Sequence, residues 1–341
     1  MRRLRIFTWH VNGRYLYYLS HLSHDIYVPV KPGRPPAYDG LPTGGFPWPD
    51  NLQEVPVDDV AHLPFDCLLF QSPTQWDTEQ HLLLSDAQRR LPRIYLEHDP
   101  PRLSPTDTRH AIDDPNVLLV HVTPFNALMW DSGRTPTRMI DHGVTVPAGV
   151  RYTGEIKRAL AVVNDITTGG RQIGADVLET IRAHVPVDLV GRGSLAAGGL
   201  GELPHGGLCE FEAHYRIFFN PIRYTSLELA VCEAMMIGMP IVGLGTAEMA
   251  MAVQNGVSGY VDTNLRMVVT GLHRLLADRR LARHMGENAR RYALERFNIS
   301  RFARDWDDAL ALVTDSPQHR RSRRDRAIPA SGDGRVSHVE V

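Results

Sequence analysis

The chain has 341 residues, of which 43% are apolar and 22% are charged, and its formal net charge is −2 at pH 7. The length allows two ordinary domains, and the near-neutral charge gives no electrostatic case for nucleic acid or a membrane surface as the main partner. Only Lys31 and Lys157 are lysines among the 37 basic residues, so arginine is the expected contact for anionic ligands.

The cysteines and the amino-terminal segment both predict a reducing compartment. Cys67, Cys209 and Cys232 have no CxxC spacing, which is typical of buried free thiols in a reducing environment. The start, MRRLRIFTWH, has no apolar segment of the signal-peptide type, and no run reaches the length of a membrane span. We therefore expect a cytoplasmic protein.

Short apolar or β-branched runs alternate with helical periodicity, which predicts βα units and parallel sheets. The predicted strands of the first half are RIFTW, IYVPV, DCLLFQ, RIYLE, VLLVHV and RMI. Residues 31–58 are rich in proline and glycine, so a long irregular excursion is expected there. After a linker near residues 147–156, the second series is LAVVN, VDLVG, RIFFN, IVGLG and GYV.

The two series predict an α/β protein with two doubly wound, Rossmann-like domains that face each other across a ligand-binding cleft. We place the first domain at residues 1–150, the second at 151–297 and a final helix at 298–314, with Trp306 in its apolar stripe. Residues 315–341 are polar and aperiodic and are predicted to be a disordered tail. The arginines of this tail are compatible with weak contact to anionic lipid, and a purely solvated tail is the alternative.

Two glutamates lie in the otherwise apolar run YTSLELAVCEAMMIGMPIVG, residues 224–243, and a buried carboxylate needs a partner. Thr225 and Glu228 fit a capping box, which is a sufficient structural reason for Glu228. Glu233 has only apolar neighbours three and four residues away, so its partner is either an arginine from another segment or the hydroxyls of a ligand such as a ribose. The amino end of this helix would offer N–H groups to a diphosphate.

These residues resemble a known family. EAMMIGMPIVG is similar to the signature of glycosyltransferase family 4, the group 1 glycosyltransferases. FFNPIRYTS, GTAEMAMAVQNGVSGYV and ALERFNISRFARDW resemble neighbouring segments of that family in the same order, from about residue 160 to residue 306. In the first half, IYLEHD and MIDHGVTVP give a thinner match.

The resemblance implies a GT-B fold and a UDP- or GDP-linked sugar as donor, bound mainly by the second domain. It implies transfer with retention of anomeric configuration, without a metal or other cofactor. The acceptor would be a glycan, a lipid-linked molecule or a small molecule, in cell-surface polysaccharide or glycoconjugate biosynthesis. The enzyme would be bacterial and cytoplasmic, or peripheral at the inner face of the membrane.

The resemblance also carries over site residues. Glu233 matches the ribose-binding glutamate, and residues 225–227 match the backbone donors near the diphosphate. The predicted donor-binding residues are Glu233, Arg171, Asn164, Gly191, Gly193, Arg223, Tyr224, Ser226 and Leu227. The predicted catalytic residues are His98, Asp99 and Thr225, and the predicted acceptor-side loop contains Asn12 and Gly13.

The sequence departs from the family at three places. Thr225 replaces the glutamate that usually holds sugar hydroxyls, and Ser-Leu-Glu replaces the glycine-rich loop that follows it. Asn164 and Asp165 stand where the family has Gly-Arg, so that arginine is missing. Arg171, with Arg223 in reserve, is therefore the predicted cation for the diphosphate.

Other classes of function remain open. A GT-B scaffold that binds nucleotide or glycan without catalysis would explain the departures. GRGSLA, residues 191–196, satisfies a loose dinucleotide fingerprint and allows an NAD-dependent oxidoreductase. Asp305 and Asp307 form a D-x-D string, although they flank the apolar stripe of a predicted helix, which favours a solvated face.

Overall fold

The computed structural model describes residues 2–35, 37–41 and 45–315. It contains two separate parallel sheets, one of seven strands and one of five, each with helices on its faces. The linker near residues 147–156 lies between the last strand of the first sheet and the first strand of the second. The predicted tail, apart from residue 315, lies outside the described residues.

The first sheet has the order β3-β2-β1-β4-β5-β6-β7, with every pair parallel. Its strands are β1 (Arg5–Thr8), β2 (Asp25–Val30), β3 (Leu52–Pro56), β4 (Cys67–Phe70), β5 (Arg93–Glu97), β6 (Val117–His121) and β7 (Thr137–Met139). Its helices are α1 (Gly13–Leu19), α2 (Gln80–Leu83) and α3 (Pro124–Met129). The irregular excursion predicted for residues 31–58 is wrong in part, because β3 forms the edge of the sheet there.

The second sheet has the order β12-β11-β10-β8-β9, again all parallel. Its strands are β8 (Ile156–Val162), β9 (Val187–Val190), β10 (Tyr215–Asn220), β11 (Ile241–Leu244) and β12 (Gly259–Asp262). The helices are α4 (Gly170–Ile173), α5 (Ala175–Arg182), α6 (His205–Ala213), α7 (Leu229–Ile237), α8 (Met249–Ala252), α9 (Leu265–Ala277), α10 (Arg279–Arg296) and α11 (Ile299–Thr314). All residues of β10, β11 and α7 are buried, in keeping with their mainly apolar sequences.

In each sheet the strand order reverses at a central pair, β1 and β4 in the first and β8 and β10 in the second. Ligands of open α/β sheets bind outside the carboxyl ends of the strands at such reversals. The loops after β1 and β5 and those after β8 and β10 line one cavity between the domains. The fold thus brings these two binding edges together.

The last helix, α11, returns to the first domain. It begins at Ile299 because the side chain of Asn298 accepts hydrogen bonds from the N–H groups of Ser300 and Arg301. The buried indole of Trp306 donates to the hydroxyl of Tyr15 on α1, 3.3 Å away. Asp305 pairs with Arg301 at 2.6 Å, and Oδ1 of Asp307 lies 3.1 Å from Nε2 of His24.

Within the described residues, no helix combines the length and the apolar character needed to cross a bilayer.

Candidate functional site

A cavity of about 770 Å³ lies between the domains. It brings together nine of the predicted site residues: Asn12, Gly13, His98, Asp99, Asn164, Gly191, Thr225, Ser226 and Leu227. Five others do not line it: Glu233, Arg171, Gly193, Arg223 and Tyr224. Local sequence patterns did not single out several further lining residues, including His10, Arg14, His142, Arg192 and His205.

His98 lies at the carboxyl end of β5, where the imidazole is held in one orientation. Its Nε2 is 2.9 Å from Oε1 of Gln71, and the side-chain nitrogen of Gln71 donates to Thr8 and to the carbonyl of Trp9. Oε1 of Gln71 must therefore accept, so Nε2 of His98 carries the proton and Nδ1 is an acceptor. Burial lowers the pKa of His98, and a neutral imidazole is expected at pH 7.

Asp99 follows His98 at the mouth of the cavity. Its carboxylate pairs with Arg102 at 2.8 Å, and its carbonyl accepts the indole N–H of Trp130 at 2.8 Å. The ring of His98 packs edge-on against Tyr15, with ring centroids 4.8 Å apart. The predicted catalytic pair of the first domain is thus fixed by contacts within that domain.

The loop before α7 and the first two residues of that helix contribute residues 225–230 to the cavity. The predicted capping box is wrong, because α7 begins at Leu229 and Glu228 is itself the N-cap, with no capping hydrogen bond from its side chain. The carbonyl of Leu227 accepts from Nε2 of His142 at 2.9 Å, which holds the loop extended before the helix starts. Burial raises the pKa of Glu228, while a hydrogen bond from Thr225 opposes the shift.

Glu233 lies one turn deeper in α7 and is fully buried. Its carboxylate accepts from Nη1 of Arg14 at 3.1 Å and from the hydroxyl of Tyr18 at 2.6 Å, both from α1 of the first domain. This is the arginine partner that the sequence left open as an alternative to a ligand. The ribose contact implied by the resemblance remains a prediction, and it requires this carboxylate to become accessible.

The two arginines predicted to contact a diphosphate are paired elsewhere. Arg223 and Arg171 both bond to the carboxylate of Asp176, at 2.6 and 2.9 Å. The hydrogen bonds from Arg223 are the main cause that lowers the pKa of Asp176 to about 2. Tyr224 points across the cleft, where its hydroxyl donates to the carbonyl of Pro101 at 3.0 Å.

The turn after β9 meets the loop after β8. Oδ1 of Asn164 accepts from the N–H of Arg192 at 2.9 Å, and the guanidinium of Arg192 bonds to Asp165. Gly191 has a φ of +133°, and a Cβ there would lie 2.3 Å from the carbonyl oxygen of Val163, so only glycine fits. The segment continues into a short 3-10 helix, Ser194–Ala197, which follows β9 at the edge of the sheet. A dinucleotide site is expected at the strand-order reversal instead, so this position does not support the dinucleotide fingerprint.

Comparisons with known proteins identify the class of fold. The sequence matches no protein-family model and no curated protein. The structure is similar to sucrose-phosphate synthase from Thermosynechococcus elongatus, with a TM-score of 0.66 and 14% identity, covering 92% of this chain and 100% of that one. It is also similar to HepE of Anabaena in complex with UDP-glucose (TM-score 0.65, 16% identity, 91% and 100% covered).

A third similar structure is AviGT4, a glycosyltransferase involved in avilamycin A biosynthesis (TM-score 0.59, 13% identity, 92% and 98% covered). With its two facing parallel-sheet domains, the chain has the GT-B fold. Identities this low establish the fold, and membership of glycosyltransferase family 4 remains a prediction.

Proposed function

We propose that this protein is a glycosyltransferase that moves a sugar from a nucleotide-sugar donor to an acceptor. The observation that carries the proposal is the cavity where the binding edges of both GT-B domains meet the start of a buried helix. Binding of UDP-glucose by HepE, a protein of the same fold, supports a nucleotide sugar as donor.

The donor is proposed to bind with its diphosphate at the start of α7. The N–H groups of the first turn of a helix have no partner within the helix, and the helix dipole favours an anion there. The turn of Gly191 and Gly193 would line the base pocket, Asn164 would contribute to donor binding beside it, and Ser226 and Leu227 would face the phosphates. His98 would then meet the transferred sugar from the first domain.

The finer features of the reaction rest on the family resemblance. These are retention of configuration, independence of metal and cofactor, and an acceptor that is a glycan, a lipid-linked molecule or a small molecule. The proposed setting is polysaccharide or glycoconjugate biosynthesis in the bacterial cytoplasm, with peripheral membrane contact as an option. The acceptor side is the loop of Asn12 and Gly13, where the side chain of Asn12 caps α1.

A catalytically inactive GT-B scaffold is the second candidate. The observation that favours it is that the carboxylate of Glu233 accepts hydrogen bonds from Arg14 and Tyr18. In addition, Thr225 stands where the resemblance implies a sugar-binding glutamate. Such a protein would bind nucleotide or glycan in the same cavity without transfer.

A thermal-shift screen over nucleoside diphosphates and nucleotide sugars tests the proposal, with NAD⁺ as the control for the oxidoreductase class. A ligand at 100 times its Kd adds about 2.7 kcal/mol to the free energy of unfolding. Slow hydrolysis of the stabilising donor, measured without acceptor, would identify an enzyme. Binding without hydrolysis or transfer would favour the scaffold, and stabilisation by NAD⁺ alone would overturn both.

A further inference from the structure

Arg14 has an unusual position for a cation of the first domain. It follows the loop after β1, lines the cavity, and reaches across the domain boundary to Glu233. Its side chain is 23% exposed, whereas that of Glu233 is fully buried. The bond to Glu233 uses Nη1, and no other hydrogen bond of this guanidinium is found among the described residues.

Glu233 holds Arg14 in place, and a second buried carboxyl group close to it, that of Glu212, makes no hydrogen bond to it. Tyr18, one turn along α1, donates to the other oxygen of Glu233, so two residues of α1 hold that carboxylate. Glu212 on α6 is also fully buried, and neither of its oxygens has a hydrogen-bond partner in the described part of the chain. Burial and the charge of Glu233 raise the pKa of Glu212 well above its usual value, which favours its neutral form.

The other arginines near the cleft are less suited to an anion in the cavity. Arg171 and Arg223 do not line it and share Asp176. Arg192 lines it, but its Nε and Nη2 are both bonded to the exposed carboxylate of Asp165. Among the described lining residues, Arg14 is therefore the arginine with a buried anionic partner. The exposed part of its guanidinium remains free to face the cavity.

We propose that Arg14 is the cation that binds the donor's diphosphate, supplied from the first domain, and that Glu233 orients it in place of contacting the ribose. This inference rests on the proposed function. The diphosphate would then lie between the N–H groups at the start of α7 and the guanidinium of Arg14. Because the two groups belong to different domains, the donor would also link the domains.

Binding of UDP compared with uridine, and of GDP compared with guanosine, tests the assignment by calorimetry. Arg14→Gln should weaken the nucleoside diphosphate at least tenfold and leave the nucleoside unchanged, since only the former carries the anion. Arg14→Lys should retain more affinity than Arg14→Gln. Arg134→Gln removes an equal charge from a surface pair with Asp113 and should leave both affinities unchanged.

Removal of Arg14 alone leaves a buried charge on Glu233, so the single variant is accompanied by the double variant Arg14→Gln/Glu233→Gln. The double variant removes both charges of the Arg14–Glu233 pair and should show the same selective loss. An equal loss of nucleoside and nucleoside diphosphate affinity in the double variant would overturn the assignment and indicate that Glu233 contacts the ribose. Unchanged nucleoside diphosphate affinity in the folded double variant would also overturn it. If the wild-type protein binds neither diphosphate, the proposed function itself fails.

Discussion

The guanidinium of Arg296 at the end of α10 lies 2.5 Å from the carboxylate of Glu248. It also bonds to Asp141 through Nε and Nη2, at 3.0 and 2.9 Å. The second oxygen of Glu248 accepts the N–H of Phe125 in the first domain, at 3.1 Å. Glu248 is almost fully buried, so this network is a polar junction between the domains.

Arg296→Met should destabilise the protein by about 3–5 kcal/mol, because it leaves the buried carboxylate of Glu248 without its cation. The free energy of unfolding is measured by denaturant titration. Arg134→Met, which breaks a surface pair with Asp113, is the matched control and should cost less than about 1 kcal/mol. Similar losses in the two variants would show that the junction contributes no more than a surface pair.

His98→Ala should lower the turnover number at least tenfold, about 1.4 kcal/mol of barrier, with nucleotide affinity nearly intact. The reason is that His98 belongs to the first domain and should meet the sugar rather than the base. Steady-state kinetics and calorimetry give the two quantities. His62→Ala, an exposed histidine, is the control, and an equal loss of nucleotide binding in His98→Ala would remove His98 from this role.

Glu228→Gln should tighten binding of UDP or GDP, since the carboxylate lies at the helix start where the diphosphate is proposed to bind. Two unit charges about 5 Å apart at an effective dielectric near 20 repel by roughly 3 kcal/mol, which is the upper limit of the gain. Because the pKa of Glu228 is raised, the gain should shrink as the pH falls and the wild-type group takes up its proton.

The free energy of unfolding should change little in Glu228→Gln, because no capping hydrogen bond is lost. Calorimetry at two pH values and denaturant titration supply the measurements. Weaker nucleotide binding in this variant would make Glu228 a ligand contact.

Stability should fall as the pH is lowered from about 6.5 to about 4. Burial lowers the pKa of His121 and His142 to about 4, whereas the unfolded imidazoles take up protons near 6.5. The unfolded state therefore binds more protons in this window, so stability increases with pH there, by up to about 3 kcal/mol for each group. Denaturant titrations at several pH values give the free energy of unfolding of the wild type and of His121→Gln/His142→Gln. This free energy should depend less steeply on pH in the variant. An equal pH dependence in the two proteins would show that these histidines are not the cause.

The sequence predicted most strands because parallel strands buried on both faces carry continuous apolar runs. It missed β3 because that strand lies at an edge, with Gln53 and Glu54 exposed, and ends in a proline. The chemistry of the site was harder to predict, since the partner of Glu233 is 219 residues away in sequence. The capping box was wrong in a region with the same kind of distant contact: the N-cap is Glu228, and the carbonyl before it, that of Leu227, accepts a hydrogen bond from His142, 85 residues away.

The bond between Trp306 and Tyr15 has a consequence for protein engineering. Tyr15 packs against His98 on one side and against α11 through Phe302 on the other. The simplest chimaera would exchange one continuous amino-terminal segment at the linker. Here that exchange would pair a foreign α1 with the native α11 directly behind His98, so the transferable unit is discontinuous and comprises the first domain together with Ile299–Thr314.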